Sequence, residues 1–274
     1  MIRIFLSILG LSSLVLAAEP PSAVTRSQWQ GHEQESFMLN GRECRVVRPA
    51  KAAPGAPWVW RPEFFDAFNQ ADLALLDEGF HLCYIDLKNS FGCPSSLDLM
   101  DRFYDHVTAT YRVSKKTSLF GFSRGGLYAL NWASRHPDRV AMIYLDAAVC
   151  DFKSWPAGKG KGTGSPGDWQ KLIADYGFKS EQDALDYKLN PIDNLKAIAA
   201  AHIPILSVCG DADTAVPYLE NSAIVKERYL SLGGQMEVIL KPGADHHPHS
   251  LEDPTLIVKA AKAANARIGN RSER

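Results

Sequence analysis

Ser123 lies in GFSRG, residues 121–125, which matches the pattern G-x-S-x-G. A short apolar run precedes this stretch, and a helical pattern follows it from Leu127 to His136. In a nucleophile elbow, a strand turns sharply into a helix and exposes the serine hydroxyl at the edge of the sheet. Glycine is needed on both sides because Cβ atoms there would collide across so tight a turn. Since about one chain in ten of this length matches by chance, the elbow also needs a base and an acid elsewhere.

Two neighbouring histidines, His246 and His247, follow the last predicted strand and are the candidate general bases for Ser123. Asp211 and Asp213 follow the preceding core strand and are the candidate acids. In a parallel sheet the carboxyl ends of the strands meet at one edge, so the order Ser, Asp, His predicts that these groups converge. A neutral imidazole can take the serine proton, and the carboxylate fixes its tautomer. His247 is either the alternative base or a substrate-facing side chain.

Alternating strands and helices fill most of the chain after residue 57. This order predicts an α/β fold with a mostly parallel central sheet and helices on both faces. Residues 35–48 predict a β-hairpin around Asn40-Gly41, a pair that favours the tight type I′ turn. Residues 19–34 are expected to be a loose lead-in. The domain is predicted to span residues 19–268, and residues 269–274 to form a flexible tail.

The segment from about residue 151 to residue 201 separates two predicted strands and is too long for a simple crossover. Because ligands bind at the carboxyl edge of such sheets, we expect it to form a cap over that edge. Trp155 and Trp169 lie in this segment, and Trp60 lies in the strand Pro57–Arg61. Tryptophan faces stack on sugar rings, so these three side chains are candidates for substrate binding, with simple packing as the alternative for each.

The chain resembles secreted α/β-hydrolases of the serine-esterase and prolyl-oligopeptidase-like type, over roughly residues 37 to 268. Residues 210–217 match the run G-x-x-D-x-x-V-P, in which that superfamily often carries its acid, and residues 242–246 match P-G-x-x-H, which carries the base. The resemblance therefore implies the α/β-hydrolase fold, Asp213 as the acid and His246 as the base. Some members of the superfamily carry the acid at the end of an earlier strand, where this chain has Asp146, so the resemblance gives Asp146 as the alternative acid. It also implies acyl transfer through a Ser-His-Asp triad and an acyl-enzyme.

Such a reaction needs an oxyanion hole, for which Arg124 and Arg61 are the candidates. One donor is the backbone N–H of Arg124, directly after the nucleophile, and the second comes from the loop after residue 61, from Arg61 or Glu63. The Ser-Arg pair is similar to that of glucuronoyl esterases, which act on uronic-acid esters. This likeness implies that the Arg124 guanidinium assists the oxyanion or binds a substrate carboxylate. A salt bridge at the surface is the alternative role.

The composition of the 274 residues excludes some classes of partner. A formal net charge of −1 gives no global attraction to nucleic acid or to anionic lipid. Arg3, the apolar run from Ile4 to Leu16 and the small residues after it predict a signal peptide over residues 1–18. We therefore expect export to the periplasm or the medium, with no stable membrane anchor after cleavage. Pairing of Cys93 with Cys150 is left open.

The sequence thus predicts a secreted serine carboxylic-ester hydrolase, with a small-molecule or carbohydrate ester as the expected substrate. A prolyl-oligopeptidase-like serine peptidase and an inactive, hydrolase-like binding protein are the alternatives. No cofactor is expected. His246, His247 and His249 have a spacing that permits metal binding, but no third-site carboxylate pattern accompanies them, so no metal is expected either.

Overall fold

The structure is a computed structural model that describes residues 22–272 of the chain, with side chains up to residue 268. The predicted signal peptide lies outside the described residues. The strands are β1 (Thr25–Trp29), β2 (His32–Leu39), β3 (Arg42–Val47), β4 (Trp58–Arg61), β5 (His81–Ile85), β6 (Thr117–Phe122), β7 (Val140–Asp146), β8 (Ile205–Gly210) and β9 (Met236–Lys241). The helices are α1 (Gln70–Asp77), α2 (Pro94–Thr110), α3 (Gly125–Arg135), α4 (Pro166–Tyr176), α5 (Glu181–Asp186), α6 (Lys196–Ala200), α7 (Ser222–Ser231) and α8 (Thr255–Ser272).

All nine strands form one sheet in the order β1-β2-β3-β5-β4-β6-β7-β8-β9. The pairs from β1 to β3 and between β3 and β5 are antiparallel, and all pairs from β5 through β9 are parallel. Apolar side chains of α2, α3, α6 and α7 cover one face, and those of α1 and α8 cover the other. The predicted mostly parallel sheet with helices on both faces is confirmed.

The hairpin β2–β3 forms as the sequence predicts, with Leu39 paired to Arg42 across Asn40 and Gly41. Both turn residues have positive φ, +50° and +69°, as a type I′ turn requires. The expected loose lead-in over residues 19–34 is wrong from residue 25 onward, since β1 pairs with β2 there. The sequence TRSQW of β1 is largely exposed and has no apolar alternation. Backbone pairing with β2 holds β1 in the sheet. Such pairing cannot be read from the side-chain pattern of β1 itself.

The segment between β7 and β8 contains α4, α5 and α6. Phe152 and Trp169 from this insertion pack in a cluster with Phe91, Leu127 and Val216. Phe91 follows β5, Leu127 lies in the first turn of α3, and Val216 follows β8. The insertion therefore packs against the carboxyl edge of the parallel strands, where the sequence predicts a cap.

Both ends of the described chain bear on sequence predictions. Helix α8 continues to Ser272, so the tail predicted from residue 269 starts inside a helix. Among the described residues no helix is both long enough and apolar enough to span a membrane. Cys93 and Cys150 are buried free thiols and are not paired with each other.

A buried ion pair connects α1 to the centre of the sheet. Arg61 Nη1 donates to Asp72 Oδ2 at 2.5 Å, and the two side chains are 0% and 1% exposed. The Arg61 guanidinium also lies 4.0 Å from the ring centroid of Phe122, the residue before Ser123. The Arg61 guanidinium therefore ties β4 both to α1 and to the end of β6, the strand that leads to Ser123. Removing one partner of such a buried pair leaves an uncompensated charge.

We expect Asp72→Asn to lower the free energy of unfolding by about 3–5 kcal/mol, because the buried Arg61 guanidinium loses its counter-charge. The matched control is Glu78→Gln, next to the same helix, which removes an ion pair to Lys262 between side chains that are 44% and 49% exposed. An exposed pair contributes about 0–1 kcal/mol. Urea denaturation of both variants measures the difference, and equal effects would show that the Arg61–Asp72 pair does not stabilise the sheet.

Candidate active site

Ser123 occupies the turn between β6 and α3 in a strained backbone conformation. Its φ is +46°, in the left-handed region that non-glycine residues rarely adopt. A Cβ on Gly121 would lie 3.0 Å from the Gly125 carbonyl oxygen, and one on Gly126 would lie 2.6 Å from that of Val149. Gly121 is the first glycine of G-x-S-x-G, and its contact is as tight as the pattern predicts. The collision predicted at the second, Gly125, is absent, since a Cβ there would lie 3.5 Å from Glu63 Cβ, an ordinary contact. The glycine that the turn requires on this side is Gly126, one residue later.

His246 is the histidine that reaches Ser123. Ser123 Oγ lies 3.0 Å from His246 Nε2, and His246 Nδ1 lies 2.8 Å from Asp213 Oδ2. The other carboxylate oxygen of Asp213 accepts hydrogen bonds from the backbone N–H groups of Ala215 at 2.9 Å and Val216 at 2.7 Å. The Asp213 side chain is 1% exposed. A fixed, buried carboxylate thus orients the imidazole whose opposite nitrogen faces the serine hydroxyl.

Asp245 fastens the loop after β9, residues 242–250, to the loop after β8, residues 211–217, which carries Asp213. The loop after β9 is called the base loop below, after the candidate base His246. Asp245 Oδ1 accepts from the backbone N–H groups of Thr214 and His246, both at 2.8 Å. Both hydrogen bonds lower the pKa of the Asp245 carboxyl, and the one from Thr214 contributes most. Close packing reinforces the contact, since a Cβ on Gly210 would collide with the Ala244 carbonyl oxygen. Sequence reasoning assigned no role to Asp245, although its position directly before His246 is the signal that could have indicated one.

Asp146, the alternative acid, has other partners. Its Oδ1 lies 2.7 Å from His249 Nδ1, and its Oδ2 accepts from the Ser250 backbone N–H at 2.8 Å and from the Tyr144 hydroxyl. The Asp146 and His249 side chains are 1% and 4% exposed. The His249 ring packs edge-on against the His246 ring, with centroids 4.8 Å apart. Asp146 and His249 therefore anchor the base loop to the end of β7, and His249 supports the ring of His246.

His247 lies beside this arrangement and is exposed. Its ring stacks on that of Phe68 at 5.7 Å and lies 4.9 Å from that of His246. Partial desolvation, together with the neighbouring imidazoles, lowers the pKa of His247. The structure thus brings His246, and not His247, to the serine hydroxyl, and a substrate-facing role for His247 stays a prediction.

The Arg124 side chain is held by its own neighbours. Arg124 Nε donates to Glu63 Oε2 at 3.3 Å, and Nη2 donates to Asn89 Oδ1 at 2.6 Å. The guanidinium lies 4.7 Å from the ring centroid of Phe64. Burial raises the pKa of Glu63, and the Arg124 charge opposes that rise. The salt-bridge role considered for Arg124 is therefore present, although with a partner that is 9% exposed and not at the open surface.

Two tryptophans and Arg61 require correction. Trp60 is fully buried and packs on Phe103 and Trp132 in the core, so it cannot contact a substrate. Trp169 is 4% exposed and donates its indole N–H to Glu181 at 3.0 Å, so it belongs to the core of the insertion. The Arg61 side chain is bound to Asp72 and is fully buried, so a role of Arg61 as an oxyanion donor is left to its backbone N–H alone. Apolar periodicity alone does not distinguish a buried tryptophan from one that lines a site.

Trp155 and the segment that follows β4 are the remaining candidates. Trp155 is half-buried in the insertion, with its ring 6.2 Å from that of Phe91. The Pro62–Glu63 segment lies next to the first residue of α3, since a Cβ on Gly125 would be 3.5 Å from Glu63 Cβ. This proximity favours the Glu63 backbone N–H over that of Arg61 as the second oxyanion donor.

Strained backbone is concentrated at this edge of the sheet. After each of four adjacent parallel strands, at least one non-glycine residue has a positive φ. These residues are Phe64 and Phe68 after β4, Lys88, Asn89 and Phe91 after β5, Ser123 after β6, and Ala147 after β7. Such conformations cost free energy and persist where the surrounding structure imposes them, typically at functional sites.

One cluster in the described part of the chain has the composition of a metal site. His246, His247 and His249 each offer one ring nitrogen, and these nitrogens all lie within 4.8 Å of one another.

Comparisons with known proteins agree with this architecture. A sequence model of the family described as alpha/beta hydrolase fold matches residues 52–175. The chain has the α/β-hydrolase fold. No functionally curated protein matches it in sequence. An acetyl xylan esterase from Thermoanaerobacterium sp. superposes with a TM-score of 0.63 at 13% identity, over 88% of this chain and 87% of the esterase.

Two peptidases superpose on the same α/β-hydrolase fold. Dipeptidyl peptidase 4 from Porphyromonas gingivalis gives a TM-score of 0.61 at 13% identity, over 91% of this chain and 36% of that protein. An acylaminoacyl peptidase from Pyrococcus horikoshii gives 0.58 at 14% identity, over 85% and 38% of the two chains. This chain thus spans little more than a third of either peptidase. Together with the family match, these neighbours support a hydrolase in general.

We expect His249→Ala to lower the free energy of unfolding by about 2–3 kcal/mol, because the buried Asp146 carboxylate loses a hydrogen-bonded partner. His247→Ala is the matched control in the same loop, since His247 is exposed and no hydrogen bond of its side chain is found among the described residues; we expect a change within about 0.5 kcal/mol. Thermal and urea unfolding give both values. If the two variants are equally stable, the His249–Asp146 pair does not anchor the base loop.

Proposed function

We propose that this protein is a serine carboxylic-ester hydrolase in which Ser123 is the nucleophile, His246 the general base and Asp213 the acid that orients it. The observation that carries the proposal is the continuous chain of contacts from Ser123 Oγ to His246 Nε2 at 3.0 Å and from His246 Nδ1 to Asp213 Oδ2 at 2.8 Å. The strained turn at Ser123 supports it, because strain of this kind exposes the hydroxyl at the edge of the sheet.

In the proposed mechanism, Ser123 Oγ attacks the ester carbonyl carbon while its proton passes to His246 Nε2. Asp213 stabilises the imidazolium that forms. The tetrahedral intermediate collapses as His246 returns the proton to the leaving alcohol, which gives an acyl-enzyme. Water then attacks the acyl carbon, loses a proton to His246 and releases the carboxylic acid, after which Ser123 is regenerated.

The negative charge of the tetrahedral intermediate needs hydrogen-bond donors. Arg124 is the N-cap of α3, where backbone N–H groups have no intrahelical acceptor and the helix dipole favours negative charge. We propose its N–H as one donor and that of Glu63 as the second. The Arg124–Glu63 ion pair keeps the loop after β4 next to the elbow, so the side chain of Arg124 serves to position both donors. Loss of one such donor costs about 10²–10³-fold in rate.

The proposed substrate is an ester of a small molecule or a carbohydrate. The acetyl xylan esterase, matched over 88% of this chain and 87% of its own, supports an ester as the substrate in this proposal. Half-buried Trp155 in the insertion supports a sugar-binding surface, since indole faces pack well on apolar ring faces. Export by the predicted signal peptide is part of the same proposal, because it would bring the enzyme to extracellular carbohydrate.

A fluorophosphonate probe tests the proposed nucleophile. We expect covalent labelling of the wild type and none of Ser123→Ala, whose kcat falls by about 10⁴–10⁶-fold. Ser231→Ala is the matched control, because this exposed hydroxyl lies at the end of α7 and donates to the Arg228 carbonyl; it should label like the wild type. Intact-mass spectrometry measures both. An unlabelled wild type would support the binding-protein alternative, and a labelled Ser123→Ala would contradict the assignment.

A substrate panel separates the two hydrolase classes. We expect turnover of aryl acetates and acetylated xylo-oligosaccharides and none of peptide anilides, because esters have the better leaving group. Initial rates with each substrate, compared with Ser123→Ala, give the result. Turnover of peptides without turnover of esters would replace the esterase by the peptidase alternative.

A further inference from the structure

We infer that His246, His247 and His249 form a binding site for a divalent transition-metal ion that prefers imidazole, such as Zn²⁺, and that the bound ion inhibits the enzyme by occupying His246. The inhibition rests on the proposed function above, whereas the binding does not. The inference also replaces the expectation, drawn from the sequence, that these histidines bind no metal.

The separation of the ring nitrogens fits a single ion. All three lie within 4.8 Å of one another. A tetrahedral zinc ion with Zn–N bonds of about 2.0–2.1 Å brings its nitrogen ligands to about 3.4 Å from each other. No pair of nitrogens therefore has to close by more than about 1.4 Å. The exposed side chain of His247 can rotate to adjust its distances to the other two rings.

Two of the three imidazoles already have the outer partners that metal ligands have in proteins. His246 Nδ1 lies 2.8 Å from Asp213, and His249 Nδ1 lies 2.7 Å from Asp146. Both carboxylates are 1% exposed. A neutral imidazole whose Nδ1–H donates to a carboxylate presents its lone pair at Nε2, which is the arrangement found in most histidine-ligated metal sites. This tautomer suits a general base and a metal ligand equally well.

His247 completes the set from the solvent side. It is exposed, and among the described residues its side chain makes ring contacts, with Phe68, His246 and His249, but no hydrogen bond. Its ring centroid lies 4.8 Å from that of His249 and 4.9 Å from that of His246. An ion can therefore reach the site from the solvent without opening the fold. Three imidazoles suit Zn²⁺, Cu²⁺ and Ni²⁺, and not the oxygen-preferring Mg²⁺ or Ca²⁺.

Inhibition follows from the shared nitrogen. The His246 Nε2 lone pair that would accept the Ser123 proton, across 3.0 Å, is the one that a metal ion would use. Once that lone pair is bound to the ion, no base remains to activate the hydroxyl. The fourth coordination position is left for a water molecule or for Ser123 Oγ, and in neither case can His246 accept the serine proton.

Calorimetry with Zn²⁺ on the chelator-treated full chain tests the binding. We expect one ion per chain, and an affinity at least about 100-fold lower in His247→Asn, since loss of outer partners alone costs about 10–100-fold. His202→Asn is the matched control, because His202 is exposed and follows α6; its affinity should equal that of the wild type. Ser123→Ala should also bind Zn²⁺, and Co²⁺ should give the intense visible absorption of a tetrahedral site.

The inhibition has its own readout. Zn²⁺ should slow fluorophosphonate labelling of Ser123 in proportion to occupancy, and EDTA should restore it, with each variant compared with its own metal-free rate. Absence of stoichiometric binding, or unchanged affinity in His247→Asn, would refute the site. Binding without slower labelling would refute the inhibition. If Zn²⁺ binds as expected but the metal-free protein neither labels nor hydrolyses esters, the proposed function fails while the metal site stands.

Discussion

The carboxylate and the backbone carbonyl of Asp146 tie the turn at Ser123 and the base loop to the end of β7. The carbonyl oxygen accepts the Ser123 backbone N–H at 2.9 Å, and the carboxylate accepts from His249, Ser250 and Tyr144. Since the residue is fully buried at the end of β7, each of these bonds is made away from water. The distance between serine and histidine therefore depends on an aspartate that contacts neither reacting group.

The parallel sheet explains why the candidate triad was predictable from the sequence. Ser123, Asp213 and the base loop each follow a core strand, and the apolar runs of β6, β8 and β9 are readable without any knowledge of their partners. Once parallel pairing is assumed, the three groups must meet at one edge. The choice between His246 and His247 could not be predicted in this way, because both residues follow the same strand in the same loop. Only the three-dimensional course of the loop shows which of them reaches Ser123.

Contacts between distant segments account for what the sequence did not predict. Trp60 and Trp155 were both candidates for substrate binding, yet Trp60 is packed under α2 and α3 and Trp155 is half-buried in the insertion. The Arg61–Asp72 pair joins a strand to a helix, and the Asp146–His249 pair joins residues about a hundred positions apart. A polar residue next to an apolar strand reads as a loop residue until its buried partner is known, so the sequence alone does not reveal that Asp146 binds His249.

The Arg124–Glu63 pair restricts how this candidate active site can diversify. The residue after a nucleophilic serine is well placed to discriminate between substrates, so it is an obvious position for adaptive change. Here, however, an uncharged residue at position 124 would leave the nearly buried carboxylate of Glu63 without a counter-charge and would lower the stability of the fold. A single substitution at position 124 does not restore that stability. Positions 63 and 124 should therefore vary together among descendants of this protein, and a lineage that acquires a new specificity here must pass through a less stable intermediate or change both codons at once.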